Sequence, residues 1–342
     1  MKNRIDWIDY CKALCIFLVV LGHSHVSLSL KSIIYVFHIP LFFFISGFLF
    51  SFEKYKDYTS FLKKRIFQLV VPYLFFSITT YIFWVFIGRK FGDDANTLMS
   101  PFKPLLGILI GNDAGHFLEH CAPLWFLTCL FTVENLYYLT FRHLKTSILA
   151  IIGLVTFLII GFLDYKFNPI RFPWGLNVAL VMVVFYGIGT LLRSSLLNLV
   201  SQKIRFWSIL TIISFLIVLF IAEINGKIEV SVGYFGNYCY FFIGALAGIT
   251  FVISVSKSFQ LLFGNNKIIQ YIGKNTLIIL SLHILAGSFV KGTTFFIFKL
   301  PLSIYENEWI AIIYSIFSII TLIPAMLFIN KYMPFIIGKN KS

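Results

Sequence analysis

Three ionisable side chains interrupt an apolar run near the start of the chain: Asp9, Lys12 and His23. Lys12 and His23 are eleven residues apart, almost three helical turns. On one helix they share a face and lie about 16 Å apart along the axis. Asp9, three residues before Lys12, is within its reach. A neutral imidazole at membrane depth can take a proton from a hydroxyl or accept an acyl group. The alternative is a histidine that hydrogen-bonds between helices. Ionisable groups inside an apolar span are costly, which favours function for His23, with Lys12 on the same face and Asp9 next to Lys12.

Other polar side chains interrupt later apolar runs. His38 opens a run ending Ile45-Ser46-Gly47-Phe48, where Pro40 is expected to free a backbone carbonyl and Ser46-Gly47 to allow tight helix packing. Glu134 lies beyond Trp125; an acid at that depth needs a partner, which Lys12 or a histidine could supply. Trp125 is either an interfacial anchor or a platform for a sugar face. His283 either joins helices or lines a cavity, and His38 is open to the same two readings. Asn275 or Thr276 is placed to cap the helix that carries His283. The triplet Lys63-Lys64-Arg65 is either an anchor at the membrane edge or a surface for a phosphorylated ligand, which arginine grips with its bidentate fork. His116, Glu119 and His120 spell H-x-x-E-H, the inverted zincin string. With no clear third protein ligand nearby, the favoured reading is a polar cluster at a cavity mouth, and no metal is assigned.

The elements that must position these groups are membrane helices. With 59% hydrophobic and 12% charged residues and apolar stretches of spanning length from end to end, the chain reads as an all-α polytopic integral membrane protein. About ten transmembrane helices are expected, at 11–30, 33–51, 66–88, 123–141, 147–163, 177–195, 207–223, 239–256, 276–290 and 309–330. The first lacks a small-x-small cleavage site and reads as a retained span. With the N-terminus in the cytoplasm, 19 of the 28 Lys and Arg fall inside, so both termini are expected to be cytoplasmic. That distribution accounts for the net charge of +14; no nucleic-acid partner is implied. One membrane-embedded domain, residues 1–342, is expected. The longest connection, about 89–122, is placed outside and holds an apolar piece, Leu105–Ile110, too short to span. Cys121 and Cys239 both fall near the outer face, where a disulfide could join them. No internal repeat is visible, which counts against a transporter.

Taken in order, several strings resemble the membrane acyltransferase-3 family, and within it the branch of fucose 4-O-acetylases. They are Arg4-Ile-Asp-Trp7-Ile-Asp9-x-x-Lys12 running to Gly22-His23; His38-Ile-Pro40 to Ser46-Gly47-Phe48; Lys64-Arg65 to Pro72-Tyr73; Leu124-Trp125-Phe126-Leu127; and Gly273-Lys274-Asn275-Thr276-Leu277 to His283. The resemblance implies about ten spans, a cytoplasmic acyl-CoA donor (usually acetyl-CoA, a co-substrate rather than a bound cofactor) and a sugar hydroxyl acceptor at the outer face. It places the family's basic-x10-His motif on Lys12 and His23; lysine stands where many members have arginine. On this reading His23 is base or transient acyl carrier. Asp9 and Lys12 flank the cytoplasmic entrance, and Arg65, Lys64 and Lys63 meet the CoA phosphates. Glu134, His38, His116 and Glu119 serve the acceptor or orient His23. The expected product is an O-acetylated sugar, glycolipid or polysaccharide at a plasma membrane, made by a multi-pass enzyme in the lipid bilayer. The rival readings are an exporter of a lipid-linked sugar or polysaccharide and a metallohydrolase built on His116, Glu119 and His120.

Overall fold

The computed structural model describes residues 5–91, 99–115, 117–199 and 201–339. Among these the regular structure is helical, with one isolated bridge between Glu229 and Tyr234. The main helices are α1 (Asp6–Gly22), α2 (Leu28–Tyr35), α3 (His38–Leu49), α4 (Tyr58–Phe91), α5 (Phe102–Ile110), α6 (Trp125–Phe141) and α7 (Ser147–Phe167). They continue with α8 (Leu176–Leu191), α9 (Ile204–Asn225), α10 (Tyr238–Phe263), α11 (Lys267–Lys274), α12 (Thr276–Phe296) and α13 (Glu308–Tyr332). Eight stretches among the described residues are long and apolar enough to cross a membrane: α2 with α3, α4, α7, α8 with its preceding turn, α9, α10, α12 and α13. This is a multi-pass membrane protein. The other two predicted spans correspond to α1 and α6, helices of 17 residues each.

Helix α1 is interior. Twelve of its residues are buried, and it packs against α3, α10, α11, α12 and α13. By contrast α7 buries only Leu154 and Gly161 and turns its isoleucines, Phe162 and Phe167 outward, as a lipid-facing helix does. An enclosed helix can carry polar groups that hydrocarbon would not tolerate.

The first helix stops earlier than hydropathy implies, at Gly22 rather than near residue 30. The polar run after it supplies the caps. Tyr35 donates its hydroxyl to the Gly22 carbonyl at 3.1 Å and Ser24 to the Leu21 carbonyl at 2.6 Å. Ser27 then accepts the Leu30 N–H at 3.2 Å and starts α2. Pro40 sits in the first turn of α3, where a backbone N–H has no helical partner, so it frees no interior carbonyl, contrary to expectation.

Helix α4 begins eight residues before its predicted span because Asp57 and Ser60 form a capping box. The box draws Lys63, Lys64 and Arg65 into the helix. Two π turns follow, Ile66–Val70 and Trp84–Gly88. Gly47 meets the expectation of close packing: a Cβ there would strike the Tyr186 carbonyl, where α3 crosses α8. Gly273 likewise admits α11 against the Asp9 backbone. Asn275 does not cap α12 with its side chain; its amide donates to the Tyr271 carbonyl, and its oxygen accepts from Asn330 of α13 at 2.6 Å. All five cysteines are free, with Cys121 buried and Cys239 exposed, so the two do not form the disulfide that their positions would have allowed. Leu105–Ile110 belongs to the nine-residue α5, too short to span.

Candidate active site

Lys12 and His23 border different cavities. Lys12 lines one of about 160 Å³ with Ser46, Thr276 and apolar side chains from α1, α3, α4, α6 and α12. His23 lines one of about 110 Å³ together with Tyr35, His38, Asp113, Trp125 and Glu229. Phe126 and Leu280 border both.

His23 is the residue that ends α1, with φ −90° and ψ 0°. Its surface is exposed to the cavity that it lines. Its ring centroid lies 5.2 Å from that of His283 on α12. His283 Nδ1 is 3.0 Å from the Ile279 carbonyl and 2.9 Å from that of Leu280, so it carries the proton. Its Nε2 is then a bare acceptor, buried and without a protein partner. His38 is held in the same way, Nδ1 to the Ile34 carbonyl at 2.9 Å, with its ring 4.9 Å from Tyr35. Three imidazoles thus converge from α1, α3 and α12, two of them fixed as the Nδ1–H tautomer by their own helices.

Two carboxylates that sequence reasoning passed over line this cavity, Asp113 and Glu229. Glu229 is placed by the bridge to Tyr234 and by Lys227, whose Nζ is 2.7 Å from its carboxylate. The hydrogen bond to Glu229 raises the Lys227 ammonium above its usual value. With only 14 acidic residues in the chain, any acid near a span deserved notice; nothing local ties these two to His23.

At the other end, Glu134 pairs with Arg65, not with Lys12 or a histidine: Arg65 Nε is 2.8 Å from its carboxylate. The N–H is not aligned with the oxygen, so this is an ion pair rather than a good hydrogen bond. Arg65 also donates to Gln68 at 2.9 Å and lies over the rings of Tyr55 and Phe61. The reason is packing: the start of α4 lies on α6, so arginine and acid meet. Lys63 and Lys64 are exposed, with Lys64 over Tyr55. Asp9 is buried and Lys12 half-buried.

Glu119 and His120 border a third cavity, of about 100 Å³, with Trp84, Ser281 and Ser288; it too touches Leu280. His116 lies outside the described residues, so the H-x-x-E-H string is seen only in part. Among the described residues no three His, Cys, Asp or Glu side chains group as metal ligands do.

A histidine cluster beside a cavity with carboxylates, separated by Phe126 and Leu280 from an apolar cavity with a lysine, suits group transfer. The profile of the acyltransferase-3 family, described as an acyltransferase domain, matches residues 5–330. The chain belongs to the acyltransferase-3 family. It is a multi-pass membrane acyltransferase. No curated protein and no solved structure is significantly similar to it.

Proposed function

We propose that this membrane acyltransferase moves an acetyl group from cytoplasmic acetyl-CoA to a hydroxyl of a cell-surface sugar, glycolipid or polysaccharide, in the manner of the fucose 4-O-acetylase branch. The carrying observation is that His23 packs against His283 and lines a cavity which shares Phe126 and Leu280 with the cavity of Lys12. The Lys12 cavity and the basic end of α4 take the donor from the cytoplasm, and the exposed Lys63 and Lys64 attract its phosphates while Arg65 stays paired with Glu134. The cavity of His38, Trp125, Asp113 and Glu229 takes the sugar from outside, its acids and imidazoles accepting hydroxyl hydrogen bonds and Trp125 offering a ring face. This orientation follows the basic side chains, counts α1 and α6 as spans, puts both termini in the cytoplasm and suits a plasma membrane.

His23 takes the proton of the acceptor hydroxyl as its oxygen attacks the thioester carbonyl carbon. The carbon–sulfur bond breaks, and the departing thiolate receives that proton, giving an ester and a free thiol. His283, whose Nδ1 proton is tied to its own helix, offers its bare Nε2 as acceptor and holds the neighbouring imidazole or hydroxyl in line.

The test uses membranes from expressing cells given radiolabelled acetyl-CoA, with alkali-labile label counted in the polysaccharide fraction. His23→Ala, at wild-type thermal midpoint, is expected to abolish the label. His283→Leu removes the acceptor that holds His23 in line and is expected to lower kcat with donor KM little changed, and by less than His23→Ala does. A folded His23→Ala protein of near-normal activity would overturn this mechanism. Wild-type membranes that transfer no acyl group from any acyl-CoA would favour the exporter.

A further inference from the structure

Resting on the acyl-transfer reading, we propose that Phe126 and Leu280 form the filter that sets acyl-chain length. These two side chains are the ones that border both the Lys12 cavity and the His23 cavity, so they stand as the partition between them. A thioester that enters beside Lys12 must present its carbonyl carbon to His23 at that partition, and the acyl chain must fit there.

The partition is firmly held. Phe126 and Leu280 are 7% and 8% exposed. The Phe126 ring packs at 5.0 Å from Phe43, 5.6 Å from Phe42 and 6.4 Å from Trp125, edge-on or tilted, so it cannot swing aside without disturbing α3. The Leu280 carbonyl accepts from His283 Nδ1 at 2.9 Å, so the backbone that carries this side chain is tied to His283. Interiors packed to this degree do not absorb added methylenes freely. An acyl group longer than acetyl must displace Phe126 or Leu280, or withdraw its carbonyl from His23. One methylene in a fitted apolar site changes kcat/KM by about 10–200-fold. The assigned donor class is thus a short-chain acyl-CoA, with the preference against butyryl set by these two residues.

The experiment measures kcat/KM for acetyl-CoA and butyryl-CoA with the wild type, Phe126→Ala and Leu280→Ala, using the same labelled-transfer assay. The wild type is expected to prefer acetyl strongly. Either truncation is expected to raise the butyryl-to-acetyl ratio at least ~10-fold, the lower bound for one methylene. Phe126→Leu and Leu280→Val, milder cuts read in the same way, replace an alanine variant whose thermal midpoint has collapsed. A ratio that stays at the wild-type value in folded variants of both residues overturns the filter, as does a wild type that uses butyryl as well as acetyl. Wild-type protein that transfers neither group overturns the acyl-transfer reading instead, so the two failures are distinct.

Discussion

Neutralising Glu134 should destabilise the protein far more than removing the whole ion pair. The carboxylate is 2.8 Å from Arg65 Nε, with the two side chains 4% and 16% exposed. At an effective dielectric constant of about 20, opposite charges at that separation attract by ~6 kcal/mol. Most of this is offset by the hydration that both ions lose, several kcal/mol for each. Glu134→Gln keeps the volume and removes the attraction, while the guanidinium's lost hydration remains uncompensated. Loss of one partner from a buried pair costs about 3–5 kcal/mol. Arg65 keeps its bond to Gln68 and the faces of Tyr55 and Phe61, which places the expected loss near the lower end, ~3 kcal/mol. Arg65→Met strands the carboxylate and should cost at least as much. Arg65→Met combined with Glu134→Leu removes both charges and should recover most of either loss. Thermal unfolding in lipid nanodiscs of wild type, both singles and the double closes the cycle. If Glu134→Gln shifts the midpoint no more than a surface substitution, or the two single effects simply add in the double, the buried-pair argument is wrong. The cycle also shows why charge reversal at Arg65 is a poor probe of donor binding: it would set two carboxylates together.

Donor recognition is better probed at the exposed pair. Lys63→Glu with Lys64→Glu is expected to raise the acetyl-CoA KM about tenfold or more, with kcat within about twofold, and less so at high salt; an unchanged KM removes both lysines from the donor site. Gly47→Ala forces a methyl group into the Tyr186 carbonyl and should cost about 1–3 kcal/mol or more. Gly292→Ala, with open space at its Cβ, is the control, and equal thermal midpoints for the two would refute the close-approach argument. Asp57 gives a pH signature. The Ser60 N–H holds its carboxyl below the ordinary aspartate value, so its contribution is present above that value and is lost as pH falls through the lowered one. Asp57→Ala should therefore lower the thermal midpoint at neutral pH, the gap closing in strongly acidic buffer; a gap that persists in acid would count against the cap.

The spans were legible where an apolar run is long and its ends are polar. The stretches expected at 147–163 and 207–223 appear as Ser147–Phe167 and Ile204–Asn225. What hydropathy could not see is where a helix end finds partners. Helix α1 stops at Gly22 because a tyrosine from the next helix covers its carbonyl, and no local composition encodes that reach. The candidate site divides on the same line. His23, His38 and His283 stood out because each is an ionisable group in an apolar run, a property of one position. That His23 meets His283, that Glu134 meets Arg65, and that Asp113 and Glu229 join the first cavity are properties of helix packing between distant positions. The arrangement has a physical order even so. Lys12 lies to one side of Phe126 and Leu280, and Asp113 and Glu229 to the other. His23 and His38 line the second cavity beside that partition, and His283 packs against His23. Imidazole can hold a proton on one ring nitrogen while it accepts with the other. A reaction that moves one proton and one acyl group from one side to the other calls for that group beside the place where the two cavities adjoin, with charged groups farther out on either side.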